Sequence, residues 1–223
     1  VWYAPDETGE PSALALLYTG TALPVLLALD ADPEGPIGPL VEEVRPLLPP
    51  KLYAHLSGDL ADRLAPRFEI EPHGGHWKMA LARPEALEAI DPGGVVPLGL
   101  GDLPELLRFY EASYPGHWFE RRMLEWGRYV GIREKGRLMS VAGVHVLSPG
   151  RGVAALGNIA TRPEARGRGL AARATAALCR DLLGDVDRIG LNVKRDNDRA
   201  VSCYERLGFV RHALYAEYSL TSG

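Results

Sequence analysis

The stretch RPEARGRGLAARATAAL, residues 162–178, limits what this chain can become more than any other. GVAALGNIA (152–160) precedes it and reads as a strand, and an alanine-rich helix is expected over 169–183. RIGLNV (188–193) then reads as a second strand. Strand, turn, helix and strand in that order imply parallel pairing at the centre of a mixed α/β fold. Gly167 and Gly169 let successive N–H groups converge and leave backbone bare for a ligand. The helix behind them adds the positive end of its dipole. Arg162, Arg166, Arg168 and Arg173 surround the turn, with Glu164 as the one acid among them. Together these features describe a phosphate cradle.

The rest of the chain fits the same class. Before the turn, strands are expected at 95–98, 129–134 and 138–148, and a helix at 102–113 with Asp102 as its N-cap. After it come a helix at 197–207, stopped by Gly208, and a last strand or strands within 209–220. The proline- and glycine-rich segment 82–99 marks a boundary near Asp91, giving domains 1–90 and 91–223. The first domain repeats the order of the second. PVLLAL (24–29) leads into PEGPIGPLVEEVRPLL (33–48), which aligns with PEARGRGLAARATAAL (163–178), Leu40 on Leu170 and Leu48 on Leu178. A strand at 52–56, a helix near 58–65 and strands at 67–71 and 76–81 follow. The pattern reads as a diverged tandem repeat. The copies part at the turn, where Pro36 replaces Arg166 and Pro39 replaces Gly169. Each proline removes a backbone donor, so a site is expected in the second lobe only.

Other phosphate motifs do not fit. No Gly-Lys-Ser/Thr follows the turn, which excludes a Walker loop. Gly167-x-Gly169-x-x-Ala172 matches a dinucleotide fingerprint literally, but Asp187 precedes the second strand instead of closing it. A net charge of −4 points away from nucleic acid, and no apolar run approaches the ~20 residues of a membrane helix. Cys179 and Cys203 lack metal-ligand spacing and read as buried reduced thiols of a cytoplasmic protein, and the residues that follow Val1 show no basic-then-apolar signal.

NIATRPEARGRGLA followed by LNVKRDNDRAVSCYERLGF resembles the GNAT superfamily of CoA-dependent N-acetyltransferases. The diphosphate-loop pattern of that family reads here as Arg166-Gly167-Arg168-Gly169-Leu170-Ala171, and its second signature as Asn197, Ala200, Tyr204, Gly208 and Phe209. The resemblance implies tandem lobes, each a mixed central sheet flanked by helices, with the first lobe degenerate. It implies acetyl-CoA as cosubstrate, no metal, and an amine acceptor, and it leaves room for a homodimer. By resemblance, backbone groups of Ile159, Ala160 and Thr161 bond the pantetheine arm in a gap between two splayed strands. The N–H groups of 167–171, with Arg166 and Arg168, hold the pyrophosphate. Asn197 bonds the pantetheine region, and Tyr204 protonates the leaving thiolate. A catalytically inert CoA-binding module, or a transferase of longer acyl groups, shares every one of these residues.

The base is open. The strand before the turn offers Asn158 and no carboxylate, so His145, on the preceding strand, is the candidate catalytic base, with Glu217 behind it. SYPGHWFERR (113–122) resembles the family's variable segment that closes over the acceptor. His73 and His76, in HGGH, read as a hairpin turn with no third metal ligand nearby.

Overall fold

The computed structural model describes residues 1–222 except 31, 33, 34 and 127. Pro33 and Glu34, matched above to Pro163 and Glu164, therefore lie outside the described residues. In chain order the elements are β1 (Trp2–Pro5), β2 (Pro11–Tyr18), β3 (Val25–Ala28), α1 (Ile37–Val44), β4 (Lys51–Leu56), α2 (Leu60–Leu64) and β5 (Phe68–Leu81). Then follow β6 (Val95–Leu98), α3 (Leu103–Ser113), α4 (Arg122–Trp126), β7 (Tyr129–Glu134), β8 (Arg137–Ser148) and β9 (Val153–Thr161). The last are α5 (Leu170–Leu182), β10 (Arg188–Lys194), α6 (Asp198–Arg206) and β11 (Phe209–Ser222). The sequence pattern missed β1, β2 and α4. It also split β5 into two strands with a hairpin at HGGH. Gly74 does take a left-handed φ of +96°, but the strand runs on through it, so the hairpin expectation is corrected. Asp102 stands at the N-cap position of α3, as expected, but its side chain makes no capping bond to the helix. Its carboxylate accepts from Gly99 N–H (2.9 Å) and from Arg133 (2.6 Å).

The chain forms two compact units, which are not consecutive segments. Unit 1 joins 1–78, 193–197 and 211–223, and unit 2 takes 79–192 and 198–210. The 1–90 and 91–223 domains remain our proposal for the repeat, since compactness groups the chain differently.

Unit 1 orders its strands β1-β2-β3-β4-β11-β5, with β3 and β4 parallel. Alternation decides its faces. Leu52, Ala54 and Leu56 of β4 point into a core with Ile37, Leu40, Val41 and Val44 of α1 and Leu60 and Leu64 of α2. Tyr53 and His55 point the other way. Pro46 ends the α-helical spacing after Val44, and one 3₁₀ turn finishes the segment.

Unit 2 orders its strands β10-β9-β8-β7-β6, with β9 and β10 parallel. Leu170, Ala174, Leu178 and Leu182 form the buried stripe of α5, at the spacing the sequence predicts. A second cluster gathers Leu106, Phe109 and Tyr110 of α3, Phe119, Met123 and Leu124, and Tyr129, Leu138 and Val141 of the sheet. Among the described residues no helix is long and apolar enough to cross a membrane.

Candidate active site

Strand β9 is where unit 2 departs from regular sheet. Against β8 its register skips twice. Val141 faces Ala160 and Gly143 faces Gly157, so Asn158 and Ile159 oppose Ala142 alone. Val144 faces Leu156 and Val146 faces Ala155, so His145 is an extra residue on β8. Asn158 takes a left-handed φ of +53°, which Asn tolerates better than most residues. Two adjacent bulges bend the strand. On its other edge β9 pairs with β10 only from Val153↔Arg188 to Leu156↔Leu191, although β9 runs on to Thr161. Ile159, Ala160 and Thr161 therefore lie beyond the end of the parallel ladder, on the stretch where the resemblance expects an open gap.

The strand leads into the glycine turn. Gly167 and Gly169 both sit at left-handed φ, +79° and +75°, and a Cβ on either would meet nothing within 4 Å. Among the described residues, the backbone N–H groups of 167–171 donate to nothing, while Arg173 N–H already closes on Gly169 O (3.1 Å). A row of free donors thus opens into space at the positive end of the 13-residue helix α5.

The arginines behave differently from their reading in sequence, where Glu164 was the one acid among them. Glu164 instead pairs with Arg137 at 3.4 Å. Arg162 donates to Leu138 O (2.7 Å) and lies over the Phe109 ring. Arg166 reaches Thr161 O (3.3 Å) and Ser113 O (3.1 Å). Arg168 grips Glu134 with both guanidinium nitrogens (3.0 and 2.5 Å). Arg173 donates to the carbonyls of Asp91 and Gly93. Most of the positive charge holds the turn in place, which leaves the backbone donors as its free anion-binding groups.

Tyr204, on α6, is buried with its ring edge-on to Phe209 (6.0 Å between centroids). Burial raises its phenol well above the ordinary value, with smaller contributions from Cys203, Tyr114 and Cys179. The hydroxyl therefore keeps its proton at neutral pH. Burial likewise pushes the Cys179 thiol up to about 12. Asn197 directly precedes α6, its N–H donating to Lys194 O (3.0 Å). It belongs to unit 1 and Tyr204 to unit 2, so the two signature residues are not gathered in one compact body.

His145 is packed, not open. Its ring stands edge-on to Trp118 (5.5 Å) and so close over Gly157 that a Cβ there would come within 2.3 Å of it. Burial lowers its pKa, opposed by Asn158, and its Nε2 is buried without a hydrogen bond among the described residues. Asn158 is the residue that sequence reasoning undervalued. Its amide donates to Trp118 O (3.0 Å) and Tyr129 Oη (3.1 Å), and its own carbonyl accepts from the Tyr110 hydroxyl (2.8 Å). It ties the segment 113–122 to the bulge. A polar residue inside a strand of small apolar ones was the available signal.

Glu217 belongs to unit 1. It accepts from Tyr53 (2.6 Å) and Tyr215 (3.2 Å), and His76 and His55 face it at 3.6 and 3.9 Å. Among the described residues no His, Cys, Asp and Glu group is arranged to hold a metal.

With this geometry in view, three comparisons bear on identity. Residues 103–209 match the family described as acetyltransferase (GNAT) family. Among curated proteins, none matches the chain. Solved structures share the fold. One, from Novosphingobium aromaticivorans and assigned to the GNAT family, is 23% identical with a TM-score of 0.65, over 89% of this chain and 84% of its own. A GCN5-related N-acetyltransferase from Kribbella flavida is 20% identical with a TM-score of 0.66, over 100% and 89%. A tandem GNAT protein from the clavulanic acid biosynthesis pathway is 15% identical with a TM-score of 0.57, over 99% and 85%.

Proposed function

We propose that this chain, whose residues 103–209 match the GNAT acetyltransferase family, moves an acetyl group from acetyl-CoA directly to a primary amine of a small molecule or peptide. One observation carries this reading: the unpaired edge of β9 runs straight into the row of free N–H groups at 167–171. A pantetheine arm needs amide partners, which a strand edge supplies. A pyrophosphate needs convergent donors, which the turn supplies. The open space around Gly167 and Gly169 leaves room for it.

In this reading Ile159, Ala160 and Thr161 hold the arm, with Asn197 assigned to it by resemblance. The N–H groups of 167–171 hold the pyrophosphate, flanked by Arg166 and Arg168. Acetyl-CoA brings the activated thioester, and the protein's residues manage protons. The amine forms a bond to the thioester carbon, the carbon–sulfur bond breaks, and the sulfur takes a proton from Tyr204. Burial keeps the Tyr204 phenol protonated, so it has a proton to give. His145, neutral and with Nε2 unpartnered, is the candidate to accept the amine proton. Both cysteines are free thiols, one buried and one partly buried, which supports a cytoplasmic setting.

The test is calorimetric titration with acetyl-CoA, followed by a thiol-release assay over a panel of primary amines. Tight binding and amine-dependent thiol release are expected. Absence of binding by the folded protein would overturn the proposal. Binding without release for any amine would leave a CoA-binding module, a reading that the lack of a carboxylate on β9 favours.

A further inference from the structure

We propose that unit 1 has a binding site of its own for small oxyanions, carboxylate or phosphoryl, in a cavity of about 320 Å³ lined by His73, Gly74, Gly75, Lys194, Arg195 and Asp196. All six residues belong to unit 1. None is among the residues assigned to acetyl transfer, and the proposal stands whether or not that assignment holds.

The cavity wall is built, not incidental. The His73 ring stacks on Tyr53 (5.5 Å between centroids, 12° between planes), and its Nε2 meets Ser219 Oγ at 2.7 Å. Tyr53 is itself anchored on Glu217 through its hydroxyl. With Nε2 occupied by Ser219, Nδ1 is left for a ligand. Gly74, at left-handed φ, exposes bare backbone, and a Cβ there would meet nothing within 4 Å. Arg195 is held from below. Its N–H donates to Gly75 O (2.8 Å), and its side-chain stem lies against Gly75, where a Cβ would come 3.6 Å from Arg195 Cδ.

The charges select the ligand. Among the described residues neither Lys194 nor Arg195 forms an ion pair, unlike Arg168, which is spent on Glu134. Asp196 offsets one of the two cations, so the cavity keeps a positive excess beside an imidazole nitrogen. A guanidinium fork fits carboxylate and phosphoryl oxygens in pairs, and an ammonium adds a point charge. The volume suits a ligand of metabolite size.

The experiment follows the histidine Cε1–H resonances of the full chain during titration with sodium phosphate and, separately, sodium acetate. Chloride keeps the ionic strength constant, and His73→Gln assigns the His73 signal. A saturable shift of His73 is expected. Phosphate alone acting identifies a phosphoryl site, acetate alone a carboxylate site, and both a general oxyanion site. Lys194→Ala/Arg195→Ala should weaken the effect about tenfold or more, and Arg195→Lys by less, since it keeps the charge and loses the fork. These side chains are exposed, so the variants should melt as the parent does. No shift with either anion, or the same shift in the double variant, would overturn the proposal. The turn at 167–171 also attracts anions, but Gly169→Pro should leave the His73 titration untouched.

Discussion

The parallel pairs β3–β4 and β9–β10 start from one plan and end differently. Both join two strands through a helix. In unit 1 the ladder closes along the whole of β3, from Val25↔Tyr53 to Ala28↔Leu56. It is sealed at both ends, by Tyr53 N–H on Pro24 O (2.8 Å) and by Ser57 N–H on Ala28 O (3.2 Å). In unit 2 the ladder stops at Leu156↔Leu191, where β9 bulges. The turns differ in step. Pro36 precedes α1 in a helical conformation with no donor, whereas Gly169 precedes α5 at left-handed φ with free donors around it. A ligand-competent gap thus takes two departures from regularity in the same place, a bulged strand and a left-handed turn. Among the described residues, unit 1 has neither in its βαβ motif.

The sharpest break of this contrast is Gly169→Pro, which imposes on unit 2 the residue of unit 1. Proline cannot adopt φ near +75° and removes a donor, so acetyl-CoA affinity should fall by about 100-fold or more in calorimetry. Gly169→Ala should fall by less. The reciprocal change, Pro36→Gly, should create no binding, because the closed β3–β4 ladder leaves no gap. Measurable binding at unit 1 in that variant would show that the turn alone decides.

Tyr204→Phe comes next. Turnover should drop roughly 10²- to 10⁴-fold while acetyl-CoA affinity stays within about threefold, a split that separates proton donation from packing. Turnover within twofold of the parent would remove Tyr204 from the reaction.

The bulge itself can be tested by packing. Gly157→Ala puts a Cβ into the His145 ring and should cost about 1–3 kcal/mol in denaturant unfolding. His145→Ala should relieve most of that cost, so the pair should be strongly non-additive. Additive effects would show that the ring does not rest on Gly157.

The smallest effect is in pH. Burial lowers the pKa of His145 in unit 2 and of His55 in unit 1. The unfolded chain, with imidazoles near 6.5, therefore takes up protons before the folded one does. The stability each neutral ring allows is complete above about pH 6.5 and is lost as pH falls below it. Melting temperatures between about pH 5 and 8 should decline toward acid, and His145→Gln or His55→Gln should each flatten the slope. An unchanged slope in either variant would show that its ring protonates freely in the fold.

Much of this was legible in the residues. Alternating and 3.6-residue spacings located β3, α1, β4, β7, β8, β9, α5, β10 and α6, and Pro36 marked the first turn as lacking a donor, but Pro39, aligned with Gly169 in sequence, stands inside α1 while Gly169 stands before α5. β1 and β2 went unread. Their backbone groups pair only with each other and with β3, so their placement depends on partners rather than on local pattern. HGGH looked like a reversal because glycine pairs permit one, but permission is not direction, and β5 continues through Gly74.

By itself the sequence determined the βαβ order around α1 and around α5, the glycine turn before α5, and the proline without a donor before α1. These follow from short-range sterics, since proline and glycine act on their own peptide units wherever they stand. Only the tertiary structure decided where the charges went. Arg168 lies far in sequence from Glu134, and His145 from Gly157, so no local pattern could pair them. The same is true of the point where β9 leaves β10, because a strand edge opens only when its neighbour fails to follow, and that is a property of two strands and not of either one.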